Sequence, residues 1–174
     1  MSDITQARSF AKRKHLGQLR KNGKTTTFSH LKDVVRNLKK MKVTNEEIIC
    51  AAWLHDTIED TDTDYDSIKD RFGKNIAEIV VSVTKDNRLP KKQREIKYLK
   101  DLKASSAKAK LVKIADILAN VNDAPNAGRN AKWEKQQFVK KSKYWSYVSG
   151  VKPGKLAELS WANDEWNRLQ EKYN

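Results

Sequence analysis

The chain has 174 residues, 38% hydrophobic and 33% charged, which fits one domain with a sizeable core and excludes the composition of a disordered chain. No stretch reaches the length of a transmembrane helix, Met1-Ser2-Asp3-Ile4-Thr5 lacks the apolar core of a signal peptide, and a single cysteine, Cys50, excludes an internal disulfide, so a soluble cytoplasmic protein is expected. The formal net charge of +14 attracts polyanions, but the basic clusters (Lys12-Arg13-Lys14, Arg20-Lys21, Lys39-Lys40, Lys91-Lys92, Lys140-Lys141) are too short for a nucleic-acid-binding arm, and most of these lysines read as solvated surface.

Taken in order, the chain reads as helix after helix. A basic amphipathic segment runs from Ile4 to about Lys21 and stops at Asn22-Gly23. Thr25-Thr26-Thr27 is a loop leading to Ser29 and His30, after which Leu31, Val34, Val35 and Leu38 repeat at helical spacing. Thr44 and Glu47 have the spacing of a capping box that opens the next helix. Asp62-Thr63-Asp64 is a loop and N-cap for a short helix ending at Phe72-Gly73, and Ile76, Ile79, Val80 and Val83 mark a buried helix. Pro90 suits the first turn of a lysine-rich helix to about Leu102. Ser105-Ser106 caps a helix whose inner face is Leu111, Ile114, Ala115, Leu118 and Val121. After a loop from Asn122 to Arg129, a long helix carries Trp133, Phe138, Tyr144, Trp145 and Val148. Pro153-Gly154 breaks it, and Leu156, Leu159, Trp161, Trp166 and Leu169 make a closing helix. The fold class is therefore all-α, in one domain spanning residues 1–174.

The helix after Thr44 contains the most informative stretch. The apolar run Ile48 to Leu54 turns abruptly into His55-Asp56-Thr57-Ile58-Glu59-Asp60-Thr61. On a helix, His55, Asp56, Glu59 and Asp60 fall in one sector. Four ionisable groups beside a buried run are costly to desolvate unless something pairs with them, and a divalent metal does so through imidazole and carboxylate. Taken alone, the block reads equally as a helix surfacing into a solvated acidic tip. Asp116 tips the balance, because an aspartate in the apolar run Leu111 to Leu118 needs a partner. Its partner is Lys113, a backbone group that it caps elsewhere, or a metal shared with His30 and His55-Asp56. His15, set among lysines, reads as a surface residue.

The order His, His-Asp, Asp on successive helices resembles the HD-domain phosphohydrolases, in particular the hydrolase domain of the RelA/SpoT family and its small single-domain alarmone hydrolases. The resemblance runs from about Ala7 to Asp123. It rests on His15-Leu16-Gly17-Gln18-Leu19-Arg20-Lys21, on His30, and on Ala52-Trp53-Leu54-His55-Asp56-Thr57-Ile58-Glu59-Asp60-Thr61. Further blocks are Phe72-Gly73, Val83-Thr84-Lys85, Leu89-Pro90-Lys91 and the run Ala109 to Asn120.

The resemblance implies a manganese-dependent hydrolase that removes pyrophosphate from the 3′ position of guanosine tetra- or pentaphosphate. By position, His30, His55, Asp56 and Asp116 would hold the metal. Glu59 and Asp60 would position and deprotonate the attacking water. Arg20 and Lys21 would line the nucleotide pocket, with Lys91 near the phosphates and Asn120 near the ribose. Three departures stand out. Thr27-Phe28-Ser29-His30-Leu31 replaces the family's Tyr-x-x-His-Pro, Gln136-Gln137 and Lys140-Lys141 stand where arginine and tyrosine contacts are usual, and the synthetase and regulatory domains of the long members are not expected. Two alternatives remain: an HD phosphohydrolase of an adenosine alarmone or of the NADPH 2′-phosphate, and a non-enzymatic basic nucleic-acid-binding module, which would leave Glu59-Asp60 without a purpose.

Overall fold

The structure, a computed structural model, describes residues 3–20 and 23–174 and is built from α-helices; a lone antiparallel bridge, Leu19 to Thr26, is the extended pairing among the described residues. The helices run α1 (Asp3–Lys14), α2 (Thr27–Lys40), α3 (Glu46–Leu54), α4 (Thr57–Asp60), α5 (Tyr65–Phe72), α6 (Lys74–Val83), α7 (Lys91–Ala104), α8 (Ala107–Asp123), α9 (Ala131–Val148) and α10 (Ser160–Tyr173). The all-α expectation holds.

Two helices make the centre. In α3 every residue from Ile48 to Leu54 is buried, and α8 buries Leu111 to Ala119 without a break. A helix apolar all round has to be covered all round. Accordingly α8 packs against α2, α3, α6, α9 and α10, and α3 is covered by α1, α2 and α6. Asn37 of α2 ties this centre together, its amide donating to the Ala115 carbonyl at 3.0 Å one residue before Asp116. At the C-terminal end, α10 docks on α9 through stacked rings: Trp145 on Trp166 at 4.4 Å, and Phe138 between Trp166 at 5.1 Å and Tyr173 at 5.2 Å. Each such pair adds roughly 0.5–1.5 kcal/mol beyond the area it buries.

Three boundaries differ from the sequence reading. The first helix ends at Lys14, not near Lys21: Gly17 turns the chain in the left-handed region at φ +73°, and Arg20 N–H then pairs with the Thr25 carbonyl at 2.8 Å. The cap of α3 is Asn45, whose side chain accepts from Ile48 N–H at 3.2 Å, not Thr44 with Glu47. Glu47 instead faces Lys108 and Asn75 on other helices. The closing helix begins at Ser160, so Leu156 and Leu159 pack from the connection before it. Asp64 and Ser106 cap α5 and α8 as expected.

Candidate active site

α2, the α3–α4 junction and α8 each bring one part of a buried polar cluster to the same place. His30 projects from the first turn of α2, His55 and Asp56 sit between α3 and α4, and Asp116 lies midway along α8. The side chains of His30, His55 and Asp116 are nearly inaccessible, while Asp56 is a quarter exposed. One ligand atom from each of His30, His55 and Asp56 lies within 4.8 Å of the others, close enough to share a cation. Asp116 joins through Oδ1, 3.1 Å from His30 Nε2 and 3.7 Å from His55 Nε2.

The motif residues themselves shape this junction. A helix leaves its last four carbonyls without an intrahelical donor. At the end of α3, His55 Nδ1 takes the Ala52 carbonyl at 2.8 Å and the Thr57 hydroxyl takes the Leu54 carbonyl at 2.6 Å. Thr61 repeats the device on the Thr57 carbonyl at 2.6 Å, closing α4. With Nδ1 donating to the backbone, the Nε2 atom of His55 is the free ring nitrogen; it is buried and has no hydrogen-bond partner among the described residues. A backbone acceptor that fixes the ring and leaves the other nitrogen open is the arrangement of a metal-ligating histidine. Two imidazole nitrogens facing two carboxylates also match the donor set of first-row divalent ions. The residues present fit such an ion.

The electrostatics agree. Burial pulls the His55 pKa down, but the charges of Asp56 and Asp116 outweigh it and raise it to about 9. For His30 burial prevails over the same two acids and its pKa falls. Burial also works against the Asp116 carboxylate, yet Lys113, Lys141 and the two histidines hold its pKa well below the usual range. Asp116 is thus both partners at once: its Oδ2 accepts from Lys113 Nζ at 2.8 Å while Oδ1 faces the histidines.

A cavity of about 610 Å³ opens over the cluster. Glu59 and Asp60 line it from α4. Glu59 Oε2 accepts the Lys85 N–H at 3.1 Å and its carbonyl accepts from Asn87 at 3.1 Å, which fixes the acid against the loop after α6. The Asp60 carbonyl accepts from the Gln18 amide at 3.1 Å. Arg20 and Asn120 also line the cavity and touch each other at 3.1 Å. Asn120 donates to Asp116 Oδ1 at 2.5 Å, and Arg20 pairs with Asp123 at 3.1 Å.

Lys91 is not among the residues lining the cavity; it stands on the exposed first turn of α7, where the proline-led helix start leaves it. Lys21 lies outside the described residues. His15 is not a surface residue: it is 1% exposed, with Nδ1 2.5 Å from the Gln18 Oε1 that supports the loop over Asp60. The cavity is also lined by four lysines and an aromatic ring to which the sequence assigned no substrate contact, namely Lys85, Lys113, Lys140, Lys141 and Tyr144. Tyr144 donates to Glu95 at 2.6 Å and accepts from Lys85 at 2.7 Å. The adjacent pair Lys140-Lys141 on an aromatic-bearing helix was the available signal.

The helical fold and the His/His-Asp/Asp cluster define a protein of the HD class, and a family model described as HD domain matches residues 7–142. The chain belongs to the HD-domain family. Among its relatives is the guanosine-3′,5′-bis(diphosphate) 3′-pyrophosphohydrolase MESH1 of Danio rerio, 38% identical over 148 residues, which cover 84% of this chain and 80% of that protein. The guanosine-3′,5′-bis(diphosphate) 3′-pyrophosphohydrolase of Aquifex aeolicus is 39% identical over 122 residues, 68% of this chain but 17% of that much longer protein. A solved structure, described as that of a metazoan ortholog of SpoT that hydrolyzes ppGpp and plays a role in starvation responses, superposes with a TM-score of 0.86 at 26% identity, covering 99% of this chain and 96% of that one.

Proposed function

We propose that this chain is a metal-dependent 3′-pyrophosphohydrolase of guanosine tetra- and pentaphosphate. The observation that carries the reading is the burial of His30, His55, Asp56 and Asp116 around one point, with Glu59 and Asp60 on the wall of the same cavity. Relatives of the same length class bear this activity in their names. The 174 residues act as one unit in this reading, which the packing of α10 on α8 and α2 supports. A cytoplasmic setting accords with the lone, buried thiol of Cys50.

His30, His55, Asp56 and Asp116 hold the divalent ion, assigned here as manganese. Once bound, such an ion lowers the pKa of water and offsets charge on phosphoryl oxygens. Glu59 and Asp60 orient the water and take its proton as its oxygen bonds to the phosphorus beside the ribose 3′-oxygen. The bond between that phosphorus and the 3′-oxygen breaks, its electron pair stays on the 3′-oxygen, which is then protonated, and pyrophosphate leaves. Arg20, bonded to Asn120, and Asn120, bonded in turn to Asp116, meet the nucleoside side, a role we assign also to Lys21.

A nucleotide panel supplied with manganese tests the reading. Pyrophosphate is expected from guanosine tetra- and pentaphosphate, and chelator should abolish its release. Orthophosphate from NADPH, with no pyrophosphate from either guanosine nucleotide, would overturn the substrate assignment.

Metal binding also has an expected pH dependence. Without metal, His55 keeps a proton up to about pH 9, because Asp56 and Asp116 outweigh the effect of its burial. Binding must expel that proton, so affinity should rise by roughly tenfold per pH unit from neutrality to about pH 9 and then level off. Calorimetry in buffers of different ionisation enthalpy measures the proton released. A pH-independent affinity over that window would show that His55 is not a ligand.

A further inference from the structure

α8 lays out the cavity along a line. Lys113, Asp116, Asn120 and Asp123 follow one another along it, and the stretch from Lys113 to Asn120 spans about 10 Å of helix. Asp116, at the His/Asp cluster, is in the middle. Toward the C-terminal end lie Arg20, already neutralised by Asp123 and bonded to Asn120, together with Ala124, Ala127 and Trp133, a mixed surface suited to a nucleoside. α9 returns alongside α8, which puts Trp133 at that end and Lys141 and Tyr144 at the other. Lys113 Nζ is 5.4 Å from the Tyr144 ring, and Lys141 Nζ is 5.8 Å from the same ring.

The cations at this second end are not equivalent. Lys113 is paired with Asp116 at 2.8 Å and Lys85 with Glu95 at 3.3 Å. Lys141, half-buried on the cavity wall, forms no ion pair among the described residues. An ammonium drawn out of water beside other ammoniums is destabilised unless an anion joins it. Burial, reinforced by Lys113, Lys85 and Lys140, lowers the Lys141 pKa to about 8 even though Asp116 opposes the shift. The ammoniums of Lys85, Lys113, Lys140 and Lys141 outnumber the carboxylates of Asp116 and Glu95 at this end, and a nucleotide can bring the negative charge that balances them.

We infer that Lys141, with Lys85 and Lys113 around it, seats the outer phosphoryl group of a diphosphate whose inner phosphorus lies at the His/Asp cluster, so that the cavity selects a diphosphate leaving group over a single phosphate. This rests on the hydrolase reading above and adds to it the residue that recognises the departing group. Lys141 is a specificity-determining residue, separate from the acids that act on water.

The test compares inorganic pyrophosphate with orthophosphate as ligands, with manganese in excess over both, by calorimetry and as inhibitors of turnover. Lys141→Gln and Lys141→Met are compared with the wild type, with Lys141→Arg as the rescue and Lys39→Gln, on the exposed end of α2, as the surface-charge control. Loss of one charge-assisted contact should weaken pyrophosphate binding roughly ten- to a hundredfold in both neutral variants. Orthophosphate binding and metal content should stay unchanged, Lys141→Arg should recover most of the affinity, and thermal unfolding should confirm that each variant folds. Equal weakening of both anions, or of neither, overturns the seat. If Lys141→Gln binds pyrophosphate normally while the wild type hydrolyses guanosine tetraphosphate, the seat falls and the hydrolase reading stands. If pyrophosphate binds through Lys141 but no guanosine nucleotide is cleaved, the seat stands and the assigned substrate falls.

Discussion

Asp56→Asn should lose metal and turnover together. Asp56 is flanked by His55 at 3.1 Å and His30 at 3.7 Å, and both histidines lower its pKa against the opposing effect of burial. The amide keeps the shape and removes the charge. Two effects then compete. Without the Asp56 charge, His55 gives up its proton more readily, which helps a metal bind near neutrality. Against that, an anionic oxygen is lost from a group of four donors, a greater change than the roughly 10- to 100-fold penalty for losing an outer partner of a ligand. The second effect dominates, and the deficit should widen from neutral pH towards pH 9, where relief of proton competition no longer compensates. Metal content after dialysis, measured beside turnover at several pH values, checks both parts. A variant that retains one tightly bound ion per chain removes Asp56 from the ligand set.

Glu59→Gln and Asp60→Asn should do the reverse, keeping the ion and losing the chemistry. The Glu59 carboxylate accepts the Lys85 N–H, a role the glutamine carbonyl can fill, so the loop after α6 stays in place. Asp60 supports Gln18 through its backbone carbonyl, which the substitution does not touch. What disappears is the proton acceptor, and the expected fall in turnover is at least about 10²-fold for a lost general base. Metal content and nucleotide affinity should remain near those of the wild type. Near-normal rates in both variants would reduce the two acids to the polar end of a short helix.

The sequence revealed most where function is concentrated in local pattern. His55-Asp56 with Glu59-Asp60 is one stretch of chain, and the apolar periodicity around Asp116 marks it as a buried acid in need of a partner. Continuous apolar runs marked α3 and α8, because both bury almost everything they carry. What the sequence missed depends on residues far apart in the chain. Lys85, Glu95 and Tyr144 meet across separations of 49 and 59 residues, and although the pair Lys140-Lys141 stands out in the sequence, nothing local says that it faces the cavity and not solvent. His15 failed for the opposite reason. Its neighbours Lys12, Arg13 and Lys14 suggested solvent, while the turn at Gly17 folds Gln18 back over the ring. Lys113 and the histidines are not exclusive neighbours of Asp116, since a carboxylate has two oxygens: Oδ2 accepts from Lys113 while Oδ1 faces His30 and His55.

The termination of α3 bears on whether this centre can be moved to another protein. The carbonyls of Ala52 and Leu54 are available because the helix stops there, and the His55 ring and the Thr57 hydroxyl occupy them. A graft of the His-Asp pair into the middle of a continuous helix would find those carbonyls already bonded to the following turn. The imidazole would then lack the acceptor that fixes its tautomer and orientation. The transferable unit is therefore the helix end with its two self-capping side chains, and a scaffold is suitable only if one of its own helices stops at that depth.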